Sequence, residues 1–381
     1  MTRNLQAVDT FHRRVAAREA VAVRAARHAW SRVDKNNIRG SWARIKQPLT
    51  DILSDVQEQA VNAGLDANVD VMAEIGQYSA PDGLINARSF SGYSAGGVAL
   101  DEWIDRPAIH ALEFIKEGIG ADEALDRVGG LFSSSVATNL ADVIRQAQQA
   151  DIATRKHMGY IRCCNADACK WCIVLSGKIY RYNTGFERHM NCHCYHLPVN
   201  LDDVGSVMDI APSPIELFNR MSESEQNKTF GIVGARSIRA GADIGQIVNS
   251  RLDSTRITKS SRSYFALQLK DKGFTLPSAK DKSRKPFRRL TVDECWASGS
   301  RKEAVQRLKD NGYILPREFR YEHRGDVGGL WSLNPAVRRA EQIYQEAVKS
   351  EDLARVAQAE KGLRKAYGKI SDSMSNGMGY R

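Results

Sequence analysis

Six of the seven cysteines, Cys163, Cys164, Cys169, Cys172, Cys192 and Cys194, fall within 32 residues, while Cys295 stands apart. The core of this cluster is Cys169-Lys170-Trp171-Cys172, nineteen intervening residues, then Cys192-His193-Cys194, with His189 three residues before Cys192. A Cys-x-x-Cys turn can place two thiolates on one metal ion, and the second knuckle brings two more from a distance in sequence. Tetrahedral zinc takes four soft or borderline donors of this kind. The expected ligands are therefore Cys169, Cys172, Cys192 and Cys194. His189 is the expected substitute for one of them, because Cys-x-Cys is tighter than the usual Cys-x-x-Cys knuckle. Cys163 and Cys164 read as strand-edge packing, and His193 and His196 suit the surface or supporting contacts as well as ligation. A structural zinc would contribute roughly 10 kcal/mol or more of folding free energy, in place of the large core that a small β unit cannot build.

Other chemistry for the same thiols is less well matched. A disulfide framework belongs to small exported chains, and this chain is neither small nor headed by an apolar secretory core. A thioredoxin-like redox pair should open a helix after a strand in a βαβ unit, whereas here the motif runs into the apolar, strand-like Ile173-Val174-Leu175. A zinc hydrolase or deaminase needs an open coordination position and a general acid/base beside a ligand histidine. Glu187 lies two residues before His189, in neither a His-x-Glu nor a His-Glu-x-x-His setting. With no P-loop, dinucleotide-binding glycine pattern or nucleophile elbow elsewhere, the expectation is a protein that is not an enzyme.

The elements that must position the cluster are mostly helical. Residues 2–32 read as one helix, and about 40–62 as another through Trp42, Ile45, Leu49, Ile52, Leu53 and Val56. Turn chemistry fills 79–97, helical pattern resumes near 107–117, and segments from 121 to about 155 lead into the cysteines, with Gly129-Gly130 as a turn. Short strands are expected at 160–162, 173–175, 178–182 and 195–199. Ser213 with Glu216 and Ser222 with Glu225 form successive capping-box signatures, the second helix running through Phe230 to Ile238. Gly241-Ala242-Asp243 ends that helix and starts another. Residues 253–290 read as a basic arm, Thr291 to Gly312 as a small helical unit, and Asn334 to about Lys369 as one long helix with a frayed tail from Ser371.

Composition sets the broad limits. The chain has 381 residues, 42% hydrophobic and 26% charged, which suits two or three globular units and excludes a disordered or fibrous chain. No apolar stretch approaches the ~20 residues of a membrane span, and a cytoplasm-like compartment is expected. The net charge of +10 is uneven: residues 251–381 hold 28 Lys+Arg against 16 Asp+Glu, and the first 250 hold 27 against 29. A basic final third suits a polyanion, nucleic acid first.

The stretch Gly159-Tyr160-Ile161-Arg162, then Cys169-Lys170-Trp171-Cys172-Ile173-Val174-Leu175-Ser176-Gly177-Lys178, then Asn183-Thr184-Gly185-Phe186-Glu187-Arg188-His189-Met190-Asn191-Cys192-His193-Cys194, resembles the MuF-like minor capsid (head morphogenesis) proteins of tailed bacteriophages, in the version common among phages of actinobacteria. Those proteins carry a Cys-x-x-Cys, an apolar stretch ending in a small residue and Gly, and a His-Pro-x-Cys-x-Cys knuckle. Met190 stands where the family usually has Pro, and Cys163-Cys164 is an addition. The resemblance is most specific over about 159–200 and loosens towards 315. It implies a virion protein present in few copies at the capsid interior or portal vertex, and in the host cytoplasm during assembly. Its implied partners are the portal protein, the major capsid protein, or both, together with packaged double-stranded DNA.

The expected fold is α+β and predominantly helical. A helical region at 1–155 faces portal or shell, a zinc-pinned β unit occupies 156–205, and 206–252 continue it as helices. A basic arm follows at 253–290, with a basic helical region over 291–381. Lys280, Lys282, Arg284, Lys285, Arg288 and Arg289 would touch packaged DNA without sequence preference. The alternative function is a zinc-dependent nucleic-acid-binding regulatory module, which predicts sequence preference; an effector activity in the C-terminal region is a third and weaker reading.

Overall fold

A computed structural model describes residues 3–164, 168–183, 192, 194–241, 243–250, 295, 300–314 and 335–377. Two long helices set the frame. Helix α1 (Gln6–Trp30) packs along α2 (Ile38–Glu74), whose apolar positions recur every three to four residues from Ile38 and Trp42 through Leu53 to Met72. The second helix extends well beyond the expected end near residue 62, because Ala60, Val61, Leu65, Val69 and Val71 keep the same buried stripe going.

A 3₁₀ turn at Ala87–Phe90, the short α3 (Leu100–Trp103) and α4 (Arg106–Lys116) lead to α5 (Ala121–Ala153). The expected turn at Gly129-Gly130 is instead the interior of α5. A Cβ added at Gly129 would come within 2.8 Å of Trp30 Cδ1, so the glycine there admits an indole rather than a bend. Trp30, Trp42 and Phe132 meet edge to face with ring centroids 5.4–5.9 Å apart, locking α1, α2 and α5 into one core.

The chain then enters an antiparallel sheet of β1 (Met158–Cys163), β2 (Ile179–Arg181) and β3 (Tyr195–Asn200), in the order β2-β1-β3. Central β1 is buried along its whole length, and its two faces serve different cores. Met158, Tyr160 and, just past the strand, Cys164 join the cluster containing the knuckle cysteines, whereas Ile161 and Cys163 pack with Leu197 and Val199 on the other side. Strand alternation therefore sends Cys164 towards the cysteine centre and Cys163 away from it.

One expected strand is a helix. Ile173 and Val174 belong to α6 (Lys170–Val174), which opens at Cys169 as its N-cap. A three-residue apolar run does not distinguish strand from buried helix by periodicity. The Cys-x-x-Cys motif thus does open a helix after a strand, contrary to the sequence expectation, although the surrounding sheet is antiparallel and not βαβ.

Helices α7 (Pro214–Arg220), α8 (Glu223–Phe230), α9 (Ile232–Arg239) and α10 (Ile244–Ser250) cover the cysteine side of the sheet. Both expected capping boxes form at Ser213/Glu216 and Ser222/Glu225. The helix expected through Phe230 breaks at Gly231, whose φ of 74° favours glycine. Helix α11 (Arg301–Asp310) carries a third box at Ser300/Glu303 and ends before Gly312, and it packs with Tyr313 and Ile314 on α2 and α5.

The terminal region is two helices, α12 (Pro335–Lys349) and α13 (Leu353–Gly377), not one. Glu351 takes a φ of 58° and turns the chain, letting Val337, Tyr344 and Ala347 pack against Val356, Leu363 and Tyr367. Helix continues to Gly377, past the expected fraying at Ser371. The architecture is α+β and predominantly helical with a small antiparallel sheet.

Candidate metal centre

Three sulfurs converge beneath the sheet. The Sγ atoms of Cys172, Cys192 and Cys194 all lie within 4.8 Å of one another, and the three residues are buried. Cys172 and Cys192 are 3.7 Å apart, close to the edge of about 3.8 Å spanned by two sulfurs at zinc-bond length in a tetrahedron. All these cysteines are free thiols. A buried, closely spaced set of soft donors fits a metal ion, and Cys172, Cys192 and Cys194 could hold one.

Each sulfur arrives by a different local device. Cys172 lies in the first turn of α6, Cys169 being the N-cap of that helix and hydrogen-bonded to Cys172. Cys192 and Cys194 precede β3 and are held from behind by Arg145 of α5. Its Nη1 donates to the carbonyls of Cys192 at 2.9 Å and Cys194 at 2.6 Å, while Nη2 pairs with Asp142 Oδ1. The helix that delivers the chain to the cysteines therefore also grips their far knuckle.

Arg162 reaches the sulfurs from β1. Its Nη2 donates to Cys172 Sγ at 3.4 Å and to Cys194 Sγ at 3.5 Å, and the residue is almost wholly buried. Cys164 is 3.5 Å from Cys194 by sulfur separation and donates its thiol to the Cys172 carbonyl at 3.0 Å. Burial disfavours the Arg162 cation, but the charge and hydrogen bond of Cys194 hold its pKa above the ordinary guanidinium range.

The thiols differ among themselves for stated reasons. Hydrogen bonds with Cys164, Cys172 and Cys192 pull the Cys194 thiol below its ordinary range, burial opposes this, and Arg162 assists it. Cys172 is pushed up by its hydrogen bonds to Cys169, Cys192 and Cys194 and by burial, and Cys164 by its bond to Cys194 and by burial. Cys163, on the opposite face, is raised by burial first and by the charge of Cys194 second.

Against the sequence expectation, the structure gathers Cys172, Cys192 and Cys194, places half-buried Cys169 beside Cys172, and brings in Cys164 from outside the expected set. His189 and His193 lie outside the described residues, as do Lys280, Lys282, Arg284, Lys285, Arg288 and Arg289. His196 is buried and stacked on Tyr160 with centroids 4.0 Å apart. Sequence reasoning missed Arg145, Arg162 and Cys164. The signal for the last two was strand alternation, since Tyr160, Arg162 and Cys164 share a face.

Residues 2–209 match the family described as VG15 protein. The chain belongs to the VG15 protein family. VG15 proteins are a phage family, and the matched span runs from α1 through β3, so it includes Arg145, Arg162 and all the cysteines of the centre. Neither a curated protein nor a solved structure matches the chain. Among the described residues of this VG15 member, no helix is long and apolar enough to cross a membrane.

Proposed function

We propose that this VG15 protein is a minor capsid, MuF-like component of a phage head, acting in head morphogenesis as a structural protein and not as an enzyme. The observation that carries the reading is the family match, which spans the helical frame and the cysteine centre together. The centre adds support of its own. Its sulfurs are buried and backed by two arginines, an arrangement suited to a closed structural ion. Zinc is the proposed ion. Cys172, Cys192 and Cys194 would hold it, with Cys169 or His189 completing the set. When bound, it would tie α6 and the second knuckle into one unit.

The proposed partners are the portal protein, the major capsid protein, or both, and packaged double-stranded DNA. Lys280, Lys282, Arg284, Lys285, Arg288 and Arg289 would contact DNA through its phosphates, and the proposed location is the capsid interior at the portal vertex. The test is quantitative mass spectrometry of purified virions, alongside particles made when the gene is interrupted. A few copies per virion, with defective heads in its absence, is the expected result. Absence from virions, combined with sequence-selective DNA binding by the purified chain, would replace this reading with a regulatory zinc module.

A further inference from the structure

A groove of about 460 Å³ runs between α2, the 3₁₀ turn at Ala87–Phe90 and α13. Its lining carries five cationic side chains, Arg88, Lys361, Arg364, Lys365 and Lys369, against two carboxylates, Glu58 and Asp66. Part of that charge is already committed. Asp66 pairs with Arg364 and with Arg14, and Lys361 Nζ lies 2.6 Å from Asp70 Oδ1. Lys365 and Lys369 are exposed and make no ion pair among the described residues.

Lys361, Lys365 and Lys369 follow one another at four-residue intervals, so they line one face of α13 at about 6 Å per step. That is comparable with the through-space step between neighbouring phosphates of a nucleic-acid strand. The same face carries Gly362 and Gly368. Each lies inside a helix, where glycine costs about 1 kcal/mol relative to alanine, yet a Cβ added at either would meet nothing within 4 Å. Packing among the described residues does not explain them. They leave bare helix backbone along the groove, which lets a bulky ligand approach the lysines closely. Asn62, Asn86 and Gln358 add neutral hydrogen-bonding groups, and among the described residues no aromatic ring lines the groove for stacking on bases.

We infer that this groove is a phosphate-backbone site for double-stranded DNA, separate from the basic segment at 280–289. The inference rests on the reading that the protein contacts packaged DNA, and it places part of that contact on α13. Recognition is of backbone charge, without base readout.

The test is a fluorescence-anisotropy titration of the full chain with a labelled duplex of arbitrary sequence, across a salt series. Wild type is compared with Lys365→Glu/Lys369→Glu, with the milder Lys365→Gln/Lys369→Gln, and with a variant neutralised at 280–289. Circular-dichroism melts check that each variant is folded. The expected result is weaker binding by on the order of tenfold at low salt for the glutamate variant, and a log–log salt slope smaller by about 1.8, from two lost phosphate contacts in both α13 variants. Wild-type binding with unchanged slope and affinity in both α13 variants would overturn the groove site while leaving DNA contact intact. No wild-type binding at low salt would overturn both. A polyglutamate probe bound by wild type and lost by the α13 variants, with DNA binding unchanged, would reassign the groove to an acidic protein surface.

Discussion

Arg155 and Glu360 form a buried, doubly hydrogen-bonded ion pair across 205 residues of sequence. Nη2 donates to Oε1 at 2.5 Å and Nη1 to Oε2 at 3.2 Å, with both side chains out of solvent. Asp151 takes the remaining guanidinium edge at 2.9 and 3.1 Å, and Tyr78 donates its hydroxyl to Glu360 at 2.6 Å. Burial disfavours the Arg155 cation, but Asp151 and Glu360 hold its pKa above the usual range. The terminal helix hairpin is thereby fastened to the point where α5 gives way to the sheet.

Glu360→Ala should destabilise the protein by about 3 kcal/mol, because it removes one of the two carboxylates that balance the buried Arg155 cation. Asp151 and the Ser79 carbonyl remain to Arg155, and the Tyr78 hydroxyl is left only that of Tyr344. Urea denaturation followed by circular dichroism measures this. A change within about 0.5 kcal/mol would mean that the hairpin is not held by this pair.

The cysteine centre predicts about one metal ion per chain, measured by elemental analysis of protein purified from zinc-supplemented cells. Cys172→Ser or Cys194→Ser should abolish stoichiometric metal and lower the melting temperature, as should prolonged chelation of wild type. Metal-free wild type with an unaltered melt would remove the structural-ion reading.

Arg162 donates to two of the sulfurs while lying outside the ligand set, so its effect should fall on affinity. Arg162→Ala is expected to weaken metal binding by roughly 10- to 100-fold in competition with a chromophoric chelator, without changing stoichiometry at saturation. Equal affinities in the two proteins would show that the guanidinium only fills space.

Gly159 sits opposite Arg181 in the β1–β2 pairing. A Cβ there would lie 2.5 Å from the Tyr180 carbonyl oxygen and 2.6 Å from Leu201 Cδ2, and backbone cannot move aside as a flexible side-chain end can. Gly159→Ala should cost about 2 kcal/mol and loosen β2. Hydrogen exchange of the β2 amides, compared with wild type, reports it.

The capping-box carboxylates of Glu216 and Glu225 have pKa values lowered from 4.5 by hydrogen bonds to Ser213 and Ser222. Their folded values lie below the unfolded ones, so the support they give is present above about pH 4.5 and is lost as pH falls through the folded value. Carboxyl titration by NMR should place the Glu225 midpoint below 4.5, and Ser222→Ala should return it towards 4.5.

What could be read from the chain followed from interactions confined to a few residues. The capping boxes at Ser213 and Ser222 were legible because serine and glutamate three positions apart satisfy the same helix end wherever it lies. The stripes of α1 and α2, the strand character of β1 and β3, and the spacing of Cys169, Cys172, Cys192 and Cys194 were legible for the same reason. Each is a local periodicity or a short motif.

Other features depended on what lay opposite. Ile173-Val174 became helix, and Gly129 stayed inside α5 against Trp30, because of the neighbours that packed against them. The reversal at Glu351 was likewise hidden in a sequence that reads as continuous helix. The sequence by itself determined which residue types were on hand for a metal and where most helices begin. Only the tertiary structure decided that Arg145 and Arg162 back the sulfurs, that Cys164 joins them, and that Glu360 returns to Arg155. These contacts join segments up to 205 residues apart, and their partners are selected by packing, about which local spacing carries no information.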